Sequence, residues 1–195
     1  MKNMLSVITM VFVLGLSSLA WATIYDFEDT INYGNEIAYY NFTANGSTDV
    51  RIWTDSWHQN LDGINLDPIM YIWTNSGNFV RMNDDNETLE TLDSAVLLPN
   101  LAAGSYICTI GSYNNYAKGS TLAEGFLYDG TPPIPIGEFS DQIVFNPNDT
   151  GYYHINFEGV NSVAPVPEPG TMLLLGFGMF GLAIYGKRRC SFKEA

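Results

Sequence analysis

The sequence predicts an all-β protein, an antiparallel β-sandwich of jelly-roll type, flanked by an N-terminal signal peptide and a C-terminal transmembrane helix. Between residues 23 and 160 no apolar period of 3.6 residues persists for three turns, whereas short alternating or aromatic runs recur between turn residues. Each end of the chain holds an apolar run without charge. These observations predict four parts: a signal peptide (1–22), the sandwich (23–160), a linker (161–170), and a short transmembrane helix with a basic tail (171–195).

The first 22 residues have the pattern of a secretory signal. Lys2 gives the positive start, and Leu5 to Leu16 is an apolar stretch of the length of a signal-peptide core. Ala20 and Ala22 fit an A-x-A cleavage site before Thr23. The alternative is a buried N-terminal helix. If these residues are a signal peptide, the rest of the chain is expected to be exported.

Short strands at a spacing of 8 to 20 residues favour the jelly-roll type of sandwich. Asn45–Ser47 and Asn75–Asn78 carry the turn residues expected between paired strands. The prolines of Thr131–Pro135 exclude that stretch from a central strand and mark an excursion before the last strands. The predicted strands are Thr23–Thr30, Glu36–Phe42, Asp49–Trp53, Pro68–Thr74, Phe79–Met82, Asp93–Leu97, Gly104–Ser112, Gln142–Phe145 and Gly151–Phe157.

Charge excludes one class of partner. Residues 23–166 hold 19 acidic side chains and three basic ones, so this span carries a net charge of −16. Nucleic-acid binding depends on clusters of Lys and Arg that displace counterions from phosphates. We therefore expect no nucleic-acid partner.

Catalytic signatures do not stand out. The two histidines, His58 and His154, are 96 residues apart, and no motif of a metalloprotease, a serine hydrolase or a Cys-His enzyme occurs. Cys108 lies in an apolar run and is expected to be a small buried side chain. Paired carboxylates could still serve a hydrolase, but 19 acids bring such pairs together by chance. We expect the protein not to be an enzyme.

Two oxygen-rich loops are the candidate metal site. Asp62 and Asp67 lie in the first loop, and Asn83, Asp84 and Asp85 lie in the second. Calcium prefers several carboxylate and amide oxygens, and a sandwich that brings the loops together would offer three carboxylates to one ion. The alternative is that both loops are solvated turns whose side chains bond their own backbone.

Aromatic side chains suggest a binding role. Tyr113 and Tyr116 flank two asparagines in a predicted loop, where their rings could stack on sugars. Trp53, Trp57 and Trp73 are also candidates, although a sandwich needs large inward residues and most of them are expected in the core.

The C-terminal end has three parts in a fixed order. Pro167, Glu168 and Pro169 form a rigid turn, an uncharged stretch of fourteen residues follows over Met172–Tyr185, and the basic cluster Lys187, Arg188 and Arg189 closes it. A helix of that length is about 21 Å long, short against a hydrocarbon core of roughly 30 Å. The basic cluster predicts that this end stays cytoplasmic and the body lies outside.

This order resembles the PEP-CTERM sorting signal of exported Gram-negative proteins, over residues 166–190. The resemblance implies an inner-membrane intermediate that an exosortase recognises and cuts near Pro-Glu-Pro. It also implies a bacterium that makes exopolysaccharide, and a final location at the cell surface or outside the cell. The alternative is an ordinary single-pass anchor.

The body itself resembles the bacterial pre-peptidase C-terminal (PPC) domain over about residues 25–113. The resemblance depends on Asp67-Pro68-Ile69-Met70-Tyr71, Asn75-Ser76-Gly77, Asn83-Asp84-Asp85 and Leu101-Ala102-Ala103-Gly104-Ser105-Tyr106. It implies a sandwich module of secreted proteins that in some cases binds calcium and in some cases holds polymers. Asn75 stands where that family usually has Asp.

Together these patterns predict an exported, non-enzymatic surface or matrix protein that associates with exopolysaccharide. The alternative function is a calcium-stabilised accessory module that binds another ligand or a protein at the cell surface.

Overall fold

A computed structural model describes residues 23–55, 57, 65–139 and 150–167. The predicted signal peptide with Ala20 and Ala22, the predicted strand Gln142–Phe145 and the predicted transmembrane helix lie outside the described residues. The described strands are β1 (Ile24–Thr30), β2 (Ile37–Ala44), β3 (Val50–Thr54), β4 (Pro68–Thr74), β5 (Phe79–Asn83), β6 (Ala95–Leu98), β7 (Gly104–Ser112), β8 (Tyr152–Glu158) and β9 (Ser162–Pro165).

These strands form two antiparallel sheets. The four-stranded sheet has the order β1-β8-β3-β6, and the five-stranded sheet has the order β5-β4-β7-β2-β9. The all-β prediction is therefore confirmed, and two predicted strands, Pro68–Thr74 and Gly104–Ser112, have the predicted bounds. The jelly-roll type stays a prediction.

The inner faces of the two sheets share one apolar core. Alternate residues of β8 point inward, so Tyr153, Ile155 and Phe157 are all fully buried. The Phe157 ring lies 5.7 Å from the ring of Tyr40 and 5.9 Å from that of Phe42, both on β2 of the opposite sheet. Burying each such side chain stabilises the fold by about 1.5–3 kcal/mol, so these contacts hold the two sheets together.

A second apolar cluster covers the outer face of the five-stranded sheet. Ile69, Tyr71 and Trp73 alternate with the inward residues of β4 and pack against Phe126, which comes from the long connection after β7. Trp73 donates a hydrogen bond of 3.0 Å from Nε1 to the buried hydroxyl of Thr109. Because both of its faces are covered, β4 is apolar along almost its whole length.

In its described residues, 113–139 and 150–151, the connection that provides this cover contains two short helical pieces. They are a 3-10 turn at Leu122–Glu124 and one α-helical turn, α1, at Ile136–Phe139. Each is too short to produce a helical period in the sequence, which is why neither could be predicted. Pro135 forms only an isolated bridge, with Tyr33, in agreement with the predicted excursion.

The two predicted turns differ in what they connect. Asn75–Asn78 joins β4 to β5, which pair with each other, so this prediction is confirmed. Asn45–Ser47 joins β2 to β3, which belong to different sheets, so the predicted pairing across it is wrong. Asn45 Oδ1 accepts hydrogen bonds from the backbone nitrogens of Ser47 and Thr48, and this local turn chemistry serves a corner between sheets as well as a hairpin.

The predicted linker over 161–170 begins instead with a strand. β9 pairs with the edge of β2 from Thr43↔Ser162 to Tyr40↔Pro165. Pro165 ends this strand, since a proline can close an edge strand although it cannot continue a central one. Gly159, with φ of +76°, turns the chain from one sheet to the other. In the part of the chain that the structure describes, no helix has the length and apolar character to cross a membrane.

Candidate functional site

Three predicted metal ligands meet at one end of the sandwich. Asp67 lies directly before β4, and Asp84 and Asp85 lie directly after β5. Because β4 and β5 are antiparallel neighbours, the start of one strand meets the end of the other. One oxygen from each of the three carboxylates lies within 4.8 Å of the others. We call Asp67, Asp84 and Asp85 the carboxylate cluster; two of its members are half-buried and Asp85 is exposed.

A buried hydroxyl fixes the two loops that carry the cluster. Ser94 is fully buried, and its Oγ lies 2.7 Å from the carbonyl oxygen of Pro68 and 2.7 Å from that of Asp84. The carbonyl oxygen of Asn83 is the third neighbour, at 3.1 Å. One side chain therefore ties the start of β4 to the end of β5. Ser94 could not be predicted, because a lone serine directly before a strand has no distinctive pattern.

Asn83 positions the site rather than completing it. Its side-chain Oδ1, the atom predicted to bind the metal, accepts a hydrogen bond of 2.7 Å from the backbone nitrogen of Ala95. Asn83 therefore joins the end of β5 to the start of β6. Asp62 lies outside the described residues, so its predicted role as a ligand stays a prediction. The structure thus brings together three of the five predicted ligands and gives a fourth a supporting contact.

Ser94 is itself held by a buried carboxylate that the sequence analysis did not single out. Asp93 is 1% exposed, and its Oδ1 accepts hydrogen bonds from the Thr54 hydroxyl (3.0 Å) and the Trp57 backbone nitrogen (3.1 Å). The hydroxyl of Thr54 in turn accepts a 2.9 Å hydrogen bond from the backbone nitrogen of Ser94. Buried charges persist where they are hydrogen-bonded, and here the bonds join β3 to the loop before β6.

Electrostatics set what the cluster can do. Two unit charges 4 Å apart repel by about 1 kcal/mol in water and about 4 kcal/mol at the effective dielectric constant of a protein surface. Three converging carboxylates therefore repel one another, and a cation among them would relieve this repulsion. All the converging atoms are hard oxygens, the ligand type of calcium and magnesium rather than of softer metals.

The two predicted binding tyrosines lie beside this cluster. The backbone nitrogen of Tyr113 donates a 2.8 Å hydrogen bond to the carbonyl oxygen of Asp67. Burial, with the hydrogen bond to Tyr113 and the charge of Asp84, raises the pKa of Tyr116 above its ordinary value. The ring of Tyr116 meets that of Tyr113 edge-on at 5.8 Å. Both tyrosines are half-buried, so each side chain is only partly open to solvent.

The tryptophans are divided between the core and the surface. Trp73 is fully buried, as expected for a core residue. Trp53 is half-buried on β3, with the guanidinium of Arg51 4.5 Å from its ring centre. Arg51 is one of the three basic residues of the body.

A surface cleft of about 360 Å³ adjoins the cluster on its exposed side. Arg51, Asn83, Asp85, Glu87 and Leu97 contribute to its walls. Leu97 is 55% exposed, so the cleft combines a cation, carboxylates and an apolar side chain. Such a mixture suits a polar ligand with hydroxyl or carboxylate groups better than an apolar one.

The start of the predicted sorting signal lies against the body. The backbone nitrogen of Val166 donates a 2.8 Å hydrogen bond to the carbonyl oxygen of Tyr39, extending the pairing of β9. Pro165, Val166 and Pro167 then form one wall of a groove of about 570 Å³. Pro167 is the last described residue of the chain; the other five predicted signal residues, Glu168, Pro169, Lys187, Arg188 and Arg189, lie outside the described residues.

Comparison with known families confirms the sorting signal. Residues 165–189 match the PEP-CTERM protein-sorting motif, a span that includes both the Pro-Glu-Pro and the basic cluster. The chain therefore carries the signal of exported proteins that are anchored in the membrane for a time and processed by an exosortase. A search of curated proteins finds no relative that matches this chain.

Proposed function

We propose that the body is a non-enzymatic, calcium-dependent binding module that associates the exported protein with exopolysaccharide. The observation that carries the proposal is the carboxylate cluster, which two separate loops build beside Tyr113 and Tyr116 and which opens onto a cleft. The resemblance of residues 25–113 to the PPC domain supports it, because modules of that family in some cases bind calcium and hold polymers.

Calcium suits the cluster in charge and in ligand type. It takes six to eight oxygen ligands at about 2.3–2.6 Å in a flexible geometry, which three converging carboxylates begin to satisfy. Asp67 and Asp84 are half-buried and held through their backbones, so they form the fixed part of the site. Asp85 is exposed and can close over the ion. The Ser94 hydroxyl keeps the two halves in register.

A bound calcium ion would also join the body to a polymer. The span 23–166 carries a net charge of −16 and would repel an acidic polysaccharide. Calcium that is held by three carboxylates keeps open positions, which sugar hydroxyls or carboxylates can fill. Arg51 in the adjacent cleft and the hydroxyls of Tyr113 and Tyr116 would supply further hydrogen bonds to the same chain of sugars.

The sorting signal explains how such a module reaches its polymer. The protein passes through an inner-membrane intermediate, and an exosortase cuts near Pro-Glu-Pro. Because β9 and Val166 are bonded to β2, a cut beyond Pro167 would leave the whole sandwich intact. The body is then free to act at the cell surface or in the matrix.

Sedimentation of residues 23–166 with the producing organism's exopolysaccharide tests the proposal. We expect retention in millimolar calcium and loss of retention in EDTA. Asp84→Asn should lose retention in calcium, whereas Glu90→Gln, which removes an exposed charge of the same loop outside both the cluster and the cleft, should keep it. Calcium-dependent stability without any retention would instead favour the alternative, an accessory module for another ligand or a protein partner. No effect of calcium on either property would refute the metal site.

A further inference from the structure

A histidine and two aspartates, none of them in the carboxylate cluster, meet on the outer face of the four-stranded sheet. His154 lies on β8, between β1 and β3, and it is held between Asp55 and Asp26. Its Nδ1 lies 2.6 Å from Asp55 Oδ1, and its Nε2 lies 3.7 Å from Asp26 Oδ2. The two contacts differ in kind, and this difference assigns a role to each nitrogen.

Asp55 is a fixed hydrogen-bond acceptor. Its Oδ1 accepts from Nδ1 of His154, and its Oδ2 accepts a 3.3 Å hydrogen bond from the amide of Asn156. The backbone nitrogen of Asp55 also bonds to the carbonyl oxygen of His154, at 3.3 Å. A carboxylate placed so on Nδ1 holds the hydrogen there and leaves the lone pair of a neutral imidazole on Nε2.

That lone pair faces an exposed carboxylate. The distance of 3.7 Å between Nε2 and Asp26 is too long for a hydrogen bond, and the Asp26 side chain is 67% exposed. Glu28, the next residue on the same face of β1, lies opposite His154 in the strand pairing. One carboxylate therefore faces the free side of Nε2, and the imidazole is oriented to act as a ligand.

We propose that His154 Nε2 and Asp26 form a surface site for a divalent transition-metal ion of the zinc class, with Asp55 as the positioning residue. Ligand atoms about 2.0–2.1 Å from a tetrahedral zinc ion stand about 3.3 Å apart. The observed separation of 3.7 Å therefore needs a closure of only a few tenths of an ångström, which the exposed Asp26 can supply. Solvent or a ligand from a partner fills the remaining positions.

The chemistry of this site differs from that of the carboxylate cluster. A nitrogen ligand favours zinc, nickel or copper over calcium, whereas the cluster offers only hard oxygens. A carboxylate on the far nitrogen of the histidine is the usual support of such ligands, and its loss typically weakens metal affinity 10- to 100-fold. The two sites can consequently be distinguished by which metal each one binds and by which substitution abolishes the binding.

Isothermal titration calorimetry of zinc binding to the full chain in detergent micelles tests the site. In an Asp84→Asn background, which disables the carboxylate cluster, we expect one zinc ion per chain, unaffected by millimolar calcium. Asp26→Asn should weaken the affinity at least about 10-fold, and Asp55→Asn about 10- to 100-fold. Asp26 is exposed, so its variant does not disturb packing.

Two further variants decide the role of the imidazole. His154→Ala should abolish the site, and His58→Ala, which removes the other imidazole of the chain, should leave it unchanged. Cobalt in place of zinc should give the visible absorption of a nitrogen- and oxygen-bound ion in the parent and lose it in His154→Ala. Zinc affinity that survives His154→Ala, or that falls equally in His58→Ala, would overturn the proposal.

Discussion

Replacing Asp84 by asparagine should reverse the effect of calcium on stability. Asp84 has the two other carboxylates of the cluster within 4.8 Å. At that distance each pair of charges repels by about 0.9 kcal/mol in water and about 3.5 kcal/mol at an effective dielectric constant of 20. Because the cluster opens to solvent at Asp85 and salt screens its charges, the lower value applies to both pairs that Asp84 forms. Removing the charge of Asp84 should therefore stabilise the metal-free protein by about 2 kcal/mol.

Calcium acts in the opposite direction. Calcium at 100 times its dissociation constant stabilises the unsubstituted protein by about 2.7 kcal/mol, whereas a variant that cannot bind it gains nothing. In EDTA the Asp84→Asn variant should thus be the more stable protein, and in saturating calcium it should be the less stable one. For a body of this size, 1 kcal/mol corresponds to roughly 3–5 °C in melting temperature.

Thermal unfolding of residues 23–166, followed by circular dichroism in EDTA and in calcium, measures both effects. Glu87→Gln is the matched control, since it removes an acid of the same loop that is not in the cluster; it should show the full calcium response. The reasoning is refuted if Asp84→Asn melts lower than the parent in EDTA and gains as much from calcium.

Three other substitutions test the framework of the site and of the fold. Ser94→Ala removes the hydroxyl that joins the two loops and leaves buried carbonyls without it, so denaturant unfolding should show a loss of about 1–3 kcal/mol, against little change for the exposed Ser162→Ala. Burial raises the pKa of Tyr40 to about 12 and raises that of its hydroxyl partner Tyr153 as well, so the unfolded chain loses protons first. Stability should be constant up to about pH 9 and fall above pH 10, with a shallower fall in Tyr40→Phe; an unchanged profile in that variant would contradict the assignment. Gly159→Ala places a Cβ 2.0 Å from the carbonyl oxygen of Asp49, whereas Gly130 has a similar φ but open space around it. Denaturant unfolding should therefore show a larger loss of unfolding free energy for Gly159→Ala than for Gly130→Ala.

Local patterns in the sequence were enough to predict most of the strands. β4 and β7 combine apolar and β-branched residues between clear turn residues, and their predicted bounds are correct. β9 was not predicted, because four residues that end in a proline look like a linker until their pairing with the edge of β2 is known. The role of Asn45–Ser47 also depends on which sheet each neighbouring strand joins, and a local turn pattern does not carry that information.

The candidate site also contains some residues that could be predicted from local patterns and others that could not. Asp67, Asp84 and Asp85 could be predicted because hard oxygens were concentrated in two loops, and antiparallel pairing of β4 with β5 brings those loops together. Ser94 and Asp93 could not be predicted, since their roles arise from burial and from contacts across the fold. The sequence shows no partner for His154, because Asp26 lies 128 residues away and Asp55 lies 99 residues away, and both meet it only in the folded sheet.

The central claim is that calcium and polymer share one site, and reciprocal binding tests it most directly. By linkage, if calcium raises the affinity for the polymer, the polymer must raise the affinity for calcium by the same factor. Calcium isotherms of residues 23–166 with and without exopolysaccharide measure this factor. We expect calcium to bind more tightly when the polymer is present, and Asp84→Asn to abolish the difference. Identical calcium isotherms with and without the polymer would contradict the account.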